Sequence, residues 1–398
     1  MGTLDKKPLW LFLIVGLCTY AIVLSIQPWE RTERILLGRN DFSQLYAGAK
    51  LAGGPDLYNG AAVERIQREV AGFESADIHY LRLPFYALLL RPLSWLPYRA
   101  AYFLFQTINL LCFFWFLWQF IPASRELVVF ASLSIPLYAM LQNGQDTGLL
   151  LFFASLSVIL ARRKLDFWAG MALCLCAIKP HLFILMPLVV ILQRRSRILA
   201  GAAVGGTILL ALSFLVGGPN WFGKYRMSLQ GQTPDLDHMP NIHSFSVLLG
   251  RADFPVEALL TVCVVAATTY LVFKVADYEL GFAFGLIGSI LISFHCYTQD
   301  CLLLLLSLAI VLSRPVGKTV RSLTELVASP IAYFFMLAGA PFNIVMPCLL
   351  GGILAMSVRD LRSSSSALGF HPSGNSTLAM TCGPCEEGTF TPHVTHYH

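Results

Sequence analysis

Long apolar runs recur along almost the whole chain, and short clusters rich in Arg, Lys, Pro and Gly separate them. Runs of this kind predict membrane-spanning helices, because a helix satisfies its own backbone hydrogen bonds in lipid. About twelve spans are expected, at residues 9–26, 99–120, 126–141, 147–161, 165–179, 181–193, 198–217, 256–274, 279–294, 301–313, 326–339 and 342–357. Several are shorter than the roughly 20 residues of a perpendicular span, so apolar loop residues, a thin bilayer or partial re-entry must supply the difference.

The composition excludes the class of soluble globular proteins. Of the 398 residues, 56% are hydrophobic and 13% are charged, and the mean hydropathy is +0.65. A soluble fold does not cover that much apolar surface. We therefore predict an all-α polytopic membrane protein with one transmembrane domain, residues 1–360. The first run follows Lys6 and Lys7 without a small-residue cleavage site, which favours a retained helix over a signal peptide.

The segment 361–398 is predicted to be a disordered cytoplasmic tail, because it is rich in Ser, Thr, Gly and Pro. It contains Cys382 and Cys385 in a Cys-Gly-Pro-Cys motif, and three histidines near its end. A redox motif of this type needs a strand before it and a helix after it, and neither pattern is present. Zinc binding by the two cysteines and two of the histidines is the alternative interpretation.

Successive loops between the predicted spans lie on alternate sides of the membrane, and the Lys and Arg residues are distributed unevenly between these two sets of loops. One set holds fifteen cations: Lys6, Lys7, Arg125, Arg162, Arg163, Lys164, Arg194, Arg195, Arg197, Lys274, Arg314, Lys318, Arg321, Arg359 and Arg362. Beyond the long first loop, the opposite set holds only Lys179, Lys224, Arg226 and Arg251. Because cytoplasmic loops carry the excess of Lys and Arg, both termini are predicted to be cytoplasmic in a plasma (inner) membrane.

The external face then contains the loop 27–98, the loop 218–255 and several short turns. In the first loop, apolar residues from Phe42 to Ala52 recur at helical spacing behind Asn40 and Asp41. A second amphipathic pattern begins at Val63 and includes a Glu64–Arg68 pair. Both patterns predict short helices that lie on the membrane surface.

Six motifs follow one another along residues 38–310: Asp41-Phe42-Ser43-Gln44-Leu45-Tyr46-Ala47-Gly48-Ala49, Pro84-Phe85-Tyr86-Ala87-Leu88-Leu89-Leu90-Arg91-Pro92-Leu93, Asn143-Gly144-Gln145, Lys179-Pro180-His181, Asn241-Ile242-His243 and the turn from His295 to Asp300. The series resembles glycosyltransferase family 87, whose members are membrane enzymes of GT-C architecture that use lipid-linked sugars. The chain departs from the family pattern at Leu83, where a second proline is usual, at Asp146, where an amide or small residue is commoner, and at Gln299, which replaces an aromatic residue.

The resemblance implies a polyprenyl-phosphate donor carrying one sugar, usually mannose, and inverting transfer to a glycolipid or glycan acceptor. A phosphate leaving group needs charge stabilisation and no proton, whereas the acceptor hydroxyl needs a base. Asp41 is the carboxylate expected to be that catalytic base. The alternative is that Asp41 only caps the helix that begins at Phe42.

Three basic residues are expected to meet the donor phosphate: Lys179, His181 and Arg82. Each has a plainer interpretation. Lys179 would snorkel to the interface, His181 would start a helix without taking part in chemistry, and Arg82 would anchor the chain at the headgroups. Phosphate binding is favoured for Lys179 because short-loop cations are rare on its side and ionisable residues at membrane depth are costly.

Sugar or acceptor contacts are expected from six side chains on the same face: Asn143, Gln145, Asn241, His243, His295 and Asp300. Asn143 and Gln145 also suit an ordinary turn, and Asp300 suits a helix cap. The external segments contain no metal-ligand spacing, so neither a metal nor a cofactor is expected. The expected partners are membrane lipid, the lipid-linked donor and the acceptor, with no nucleic acid.

Two other functions fit the same apolar pattern. A transporter or flippase for a lipid-linked saccharide would place polar residues near the midplane of several spans, whereas here they gather at one face. A non-catalytic member of the family is the second alternative.

Overall fold

The computed structural model describes residues 21, 33, 35–71, 79–120, 134–230, 235–249 and 254–367, in which every regular element is a helix. The α-helices are α1 Phe42–Leu51, α2 Gly60–Ala71, α3 Pro84–Leu90, α4 Tyr98–Phe120, α5 Ile135–Gln142, α6 Thr147–Arg162, α7 Asp166–Cys174, α8 Met186–Leu192, α9 Ser196–Gly217, α10 Trp221–Gln230, α11 Ser244–Leu248, α12 Phe254–Lys274, α13 Tyr278–Ile292, α14 Leu304–Leu312, α15 Lys318–Ala328, α16 Pro330–Leu337 and α17 Val345–Ala367. Short 3-10 helices are Arg91–Trp95, Leu175–Ile178, Pro180–Phe183, Leu236–His238, Thr298–Leu303 and Phe342–Ile344. The predicted all-α class is confirmed.

Four helices in the described residues are long and apolar enough to cross a membrane: Tyr98–Phe120, Ser196–Gly217, Pro255–Lys274 and Phe342–Ser363. Five shorter apolar helices accompany them: Thr147–Arg162, Asp166–Ile178, Pro180–Leu192, Tyr278–Ile292 and Thr298–Leu312. The expected count of twelve spans is therefore not confirmed. The first predicted span and the Cys- and His-containing end of the tail lie outside the described residues.

Helix α1 begins and ends close to the predicted positions, but it does not lie on a surface as expected. Eight consecutive residues, from Phe42 to Ala49, are buried within the protein. The Phe42 ring packs against Tyr98, Tyr102 and Phe105, with ring centroids 4.9–5.6 Å apart. Neighbouring helices thus cover α1 on its polar side as well, which an amphipathic pattern alone does not reveal.

Helix α2 keeps the predicted amphipathic character. Val63 and Ile66 are buried, whereas Glu64 and Arg68 form an ion pair on the outer side. An apolar stripe and a charged stripe on one helix are the arrangement that its sequence predicts.

Helices α7 and α9 approach each other unusually closely. A Cβ atom on Gly170 would lie 2.0 Å from the carbonyl oxygen of Ile198, and one on Gly201 would lie 1.9 Å from that of Phe167. Only glycine permits this backbone contact, so the two helices form a tightly packed pair. The chain after α7 continues through a 3-10 turn to Lys179, where Pro180 starts a new helical segment.

The predicted span 326–339 is divided into two helices. Helix α15 ends at Ala328, and Pro330 begins α16, because proline lacks the N–H that continuation needs but suits the first turn of a helix. The last helix, α17, continues to Ala367, past the predicted start of the tail at 361.

Polar residues lie at both ends of α6, and at each end they contact polar residues that lie at the start of α13 or in the segment that follows it. At one end, Arg162 of α6 donates to Glu279 of α13 at 2.6 and 2.7 Å. At the other end, Thr147 of α6 lies beside the turn that follows α13 and contains Asp300. The 16 residues of α6 separate these two polar regions by about 24 Å at 1.5 Å per residue.

Candidate active site

Asp41 stands immediately before α1, yet its carboxylate does not cap that helix. The side-chain oxygen of Asn40 takes that role, accepting a hydrogen bond of 3.2 Å from the N–H of Phe42. The capping interpretation of Asp41 is therefore wrong. Because Asn40 satisfies the helix end, the half-buried Asp41 carboxylate is free to face other elements.

The turn Asn143–Asp146 between α5 and α6 lies against Asp41. The Asp41 N–H donates to the carbonyl of Asn143 at 3.1 Å. Gly144 has a φ of +61°, and a Cβ there would lie 2.3 Å from Oδ1 of Asn40. Glycine thus allows the turn to approach the start of α1 and to direct the Gln145 side chain at Asp41.

Two cations and two carboxylates form a buried ionic group beside this turn. Their exposed fractions are 7% for Arg82, 3% for Lys179, 0% for Asp146 and 1% for Asp300. Arg82 Nε lies 2.9 Å from Asp146 Oδ2. Lys179 Nζ lies 2.7 Å from Asp300 Oδ1 and 3.3 Å from Asp146 Oδ1. Burial at this level excludes both snorkelling by Lys179 and a headgroup anchor at Arg82.

Gln145 joins this ionic group to Asp41. Its Oε1 accepts from Arg82 Nη2 at 3.2 Å and from Lys179 Nζ at 2.9 Å, and its Nε2 donates to Asp41 Oδ2. We call Asp41, Arg82, Gln145, Asp146, Lys179 and Asp300 the polar cluster. The cluster thus brings together four parts of the chain: the first loop, the α5–α6 turn, the break between two 3-10 helices at Lys179, and the turn after α13.

The environments of Asp41 and Asp146 shift their acidities in opposite directions. Burial raises the pKa of Asp41, against the lowering effects of the Gln145 hydrogen bond and of the Arg82 and Lys179 charges. Burial alone would also raise the pKa of Asp146, but Arg82 and Lys179 hold it well below its usual range. Asp41 is therefore the better proton acceptor of the two carboxylates.

Asp300 has two roles in the structure. Its Oδ2 accepts from the N–H of Tyr297 at 3.1 Å, which caps the 3-10 helix Thr298–Leu303, and its Oδ1 binds Lys179. The capping interpretation is thus confirmed, together with a contact in the cluster. Asn143 lies at the rim, where its Nδ2 donates to Oε1 of Gln299 at 3.2 Å.

The two histidines lie next to each other beside the cluster. The rings of His181 and His295 are 5.8 Å apart and perpendicular. His295 also packs on Tyr297 at 4.8 Å. Burial lowers the pKa of His295 to about 4, so this ring is neutral at pH 7.

Asn241 and His243 make other contacts. The buried Asn241 donates to the carbonyl of Ser293 at 2.6 Å, which fastens the loop after α13. His243 Nδ1 lies 3.1 Å from Glu257 at the start of α12. Among the described residues, neither side chain contacts the polar cluster, and their expected sugar or acceptor contacts stay predictions.

Two members of the site, Asp146 and Thr147, are missed by sequence reasoning. The sequence marks Asp146 only as a departure from the family pattern, although this residue pairs with both buried cations. Thr147 Oγ1 lies 3.3 Å from Asp300 Oδ1. The sequence signal that points to Asp146 is charge balance, because two buried cations require counter-charges nearby.

Within the described residues, no group of three or more His, Cys, Asp or Glu side chains forms a candidate metal site.

Comparisons with curated proteins and with solved structures found no match. The model of glycosyltransferase family 87 matches residues 80–298, more than half of the chain and the region that contributes every member of the polar cluster except Asp41 and Asp300. The chain therefore belongs to glycosyltransferase family 87, a family of membrane glycosyltransferases.

Proposed function

We propose that this chain transfers mannose from a polyprenyl-phosphate donor to a glycolipid or glycan acceptor at the external face of the plasma membrane, with inversion. The observation that carries the proposal is the position of the Asp41 carboxylate. It is half-buried, relieved of helix capping by Asn40, and held by Gln145 at the edge of a buried ionic group. That is the environment a general base requires, because burial raises its proton affinity.

In the proposed reaction the acceptor oxygen bonds to the anomeric carbon as the bond from that carbon to the phosphate oxygen breaks. Asp41 takes the hydroxyl proton, and polyprenyl phosphate leaves with the bonding electrons. The carboxylate loses one negative charge while the leaving phosphate gains one. Total charge at the site is thus unchanged, which favours reaction in a partly dehydrated pocket.

Arg82 is better suited than Lys179 to direct contact with the phosphate. An ammonium group has three donors, and Lys179 Nζ lies within 3.3 Å of three acceptors, on Gln145, Asp146 and Asp300. Arg82 uses its Nε and Nη2, while its Nη1 makes no hydrogen bond within the described part of the chain. We propose that Nη1 binds the phosphate and that Lys179 contributes charge without direct contact. His181 and the neutral His295 would line the same pocket.

The position of the polar cluster supports transfer over transport. Its members come from turns and helix ends, such as Asp146 before α6 and Lys179 at the break after α7. A carrier is expected to hold its substrate near the membrane midplane between two related halves.

The proposal is tested with the full-length protein in nanodiscs. Radiolabelled polyprenyl-phosphate mannose is supplied with octyl mannoside or a dimannosyl diacylglycerol as acceptor, and glucose and arabinose donors serve as comparisons. We expect label to move from the donor to an acceptor, with mannose preferred and with the opposite anomeric configuration in the product. Label that stays on all three donors would refute the transferase proposal, whereas movement of intact donor between leaflets would favour a flippase.

A further inference from the structure

We propose that Gln145 is a positioning residue that separates Asp41 from the two buried cations, and that it does not bind the sugar. This proposal rests on the proposed function of Asp41 as the base. It concerns how the base is kept able to accept a proton.

The contacts of Gln145 fix the orientation of its amide. Its Oε1 lies 3.2 Å from Arg82 Nη2 and 2.9 Å from Lys179 Nζ, so an amide turned by 180° would place its NH₂ group against two cations. The NH₂ group must therefore point the other way, where it donates to Asp41 Oδ2. Both polar atoms of the side chain are occupied by protein, although the sequence suggests a sugar contact.

The same arrangement keeps Asp41 out of a direct ion pair. A carboxylate bound by Arg82 or Lys179 would be stabilised in its charged form and would be a weaker base. In the structure, those cations instead bind Asp146 and Asp300, at 2.7–3.3 Å. The neutral amide of Gln145 lies between these cations and Asp41, to which it donates a single hydrogen bond. Asp41 Oδ1 is then available to the acceptor hydroxyl.

Five groups around Asp41 influence its proton affinity: Gln145, Arg82, Lys179, Asp146 and the phenol of Tyr297. Replacing Gln145 by Glu removes the donated hydrogen bond and adds a negative charge, and both changes favour protonated Asp41. Replacing Asp146 by Asn removes a negative charge and frees Arg82 and Lys179 to attract Asp41. The two variants should therefore move the titration of Asp41 in opposite directions.

The test measures protonation of Asp41 without relying on turnover. Full-length protein in nanodiscs is treated with dicyclohexylcarbodiimide, which labels protonated carboxyl groups, at a series of pH values, and labelling of Asp41 is quantified by mass spectrometry. We expect the labelling midpoint to rise by at least about one pH unit in Gln145→Glu and to fall in Asp146→Asn. Gln230→Glu, the same change on the exposed end of α10, should leave it unchanged.

Transfer activity gives the second readout. With the radiolabelled mannose donor, the acidic limb of kcat/KM should move with the labelling midpoint. At a pH below this limb, Gln145→Glu should be about tenfold slower than wild type for each pH unit by which its midpoint has risen. If Gln145 contacts the sugar instead, KM rises at all pH values while the midpoint stays at the wild-type position. That result would overturn the positioning role and leave the transferase proposal intact, whereas full activity in Asp41→Asn would remove the base itself.

Discussion

Two ionic groups lie at opposite ends of α6 and α13, and they differ mainly in their access to solvent. In the polar cluster, the paired side chains of Lys179 and Asp300 are 4% and 1% exposed. In the other group, which we call the opposite-end network, Arg162 and Glu279 are 35% and 12% exposed, and Arg314 also binds Asp277 and Glu279. Both contain Arg and carboxylates at similar distances, so contact geometry alone does not distinguish a functional site from a structural contact.

The difference in burial has an energetic meaning. Exposed ion pairs contribute about 0–1 kcal/mol, because water and salt screen them. Buried pairs often contribute less than the apolar residues that could replace them, yet removing one partner is costly because it leaves an unpaired charge. The opposite-end network can be explained as a structural contact that joins α6 to α13. Burial of the charged side chains in the polar cluster costs enough free energy to make the cluster the candidate functional site.

The largest contrast is expected from neutralising one carboxylate in each region. Asp41→Asn should lower the transfer rate by about 10²–10⁴-fold, the usual contribution of a general base. Asp277→Asn, which can still cap α13 through its side-chain oxygen, should leave the rate within about twofold of wild type. Transfer from the radiolabelled donor measures both, and equal rates in the two variants would contradict the distinction between the regions.

Removing one cation from each region should separate them in stability. Lys179→Met leaves Asp146 and Asp300 without a shared counter-charge, and we expect a loss of about 3–5 kcal/mol in the free energy of unfolding. Arg162→Met should lose about 1 kcal/mol or less. Thermal unfolding in one detergent measures the difference. A larger loss in Arg162→Met would mean that the opposite-end network is the essential one.

The pH dependence of transfer should reflect Asp41. Burial raises the pKa of this carboxyl, so its basic form is lost as pH falls through a value above the usual 3.8 for aspartate. The acidic limb of kcat/KM should therefore lie above that value, with about a tenfold loss per pH unit below it. Asp146, whose pKa is lowered, should stay charged throughout. An acidic limb at or below the usual aspartate pKa would assign the base elsewhere.

The smallest expected effect concerns salt. Raising NaCl from about 0.05 to about 0.5 M shortens the distance over which exposed charges interact. The stability difference between wild type and Glu279→Gln should shrink by a few tenths of a kcal/mol, whereas that between wild type and Lys179→Met should persist. Parallel thermal unfolding at both salt concentrations provides the measurement. Equal salt sensitivity in the two pairs would mean that water reaches the polar cluster freely.

The helices that follow long apolar runs are predictable from the sequence, because their period and end signals are local. Helix α4 begins at Tyr98 and α9 ends at Gly217, each within a residue of expectation. The burial of α1 is not predictable in this way. Its covering residues, such as Tyr98 and Phe105, lie more than 50 positions further along the chain, and no local pattern encodes that contact.

The site is predictable in part for the same reason. The sequence predicts that Asp41, Arg82, Gln145, Lys179 and Asp300 lie on one face and serve one site, and the structure places all five in contact through one cluster. Their pairing does not follow from the sequence. Arg82 and Asp146 are separated by 64 positions, and only the folded chain shows that the lysine and arginine are already neutralised by carboxylates.

The glycine contacts between α7 and α9 bear on how the proposed lipid-linked donor would reach the polar cluster. Because Gly170 and Gly201 bring the two backbones together, this wall is stiff, and Lys179 is carried on it only five residues beyond α7. Helix α3 packs on α9 through the Phe85 N–H, which donates to Ser213 Oγ, so any gate for the donor is expected away from both, where Asp41 precedes α1. Movement is then expected in the described part of the first loop around Asp41, while the segment that carries Lys179 stays fixed.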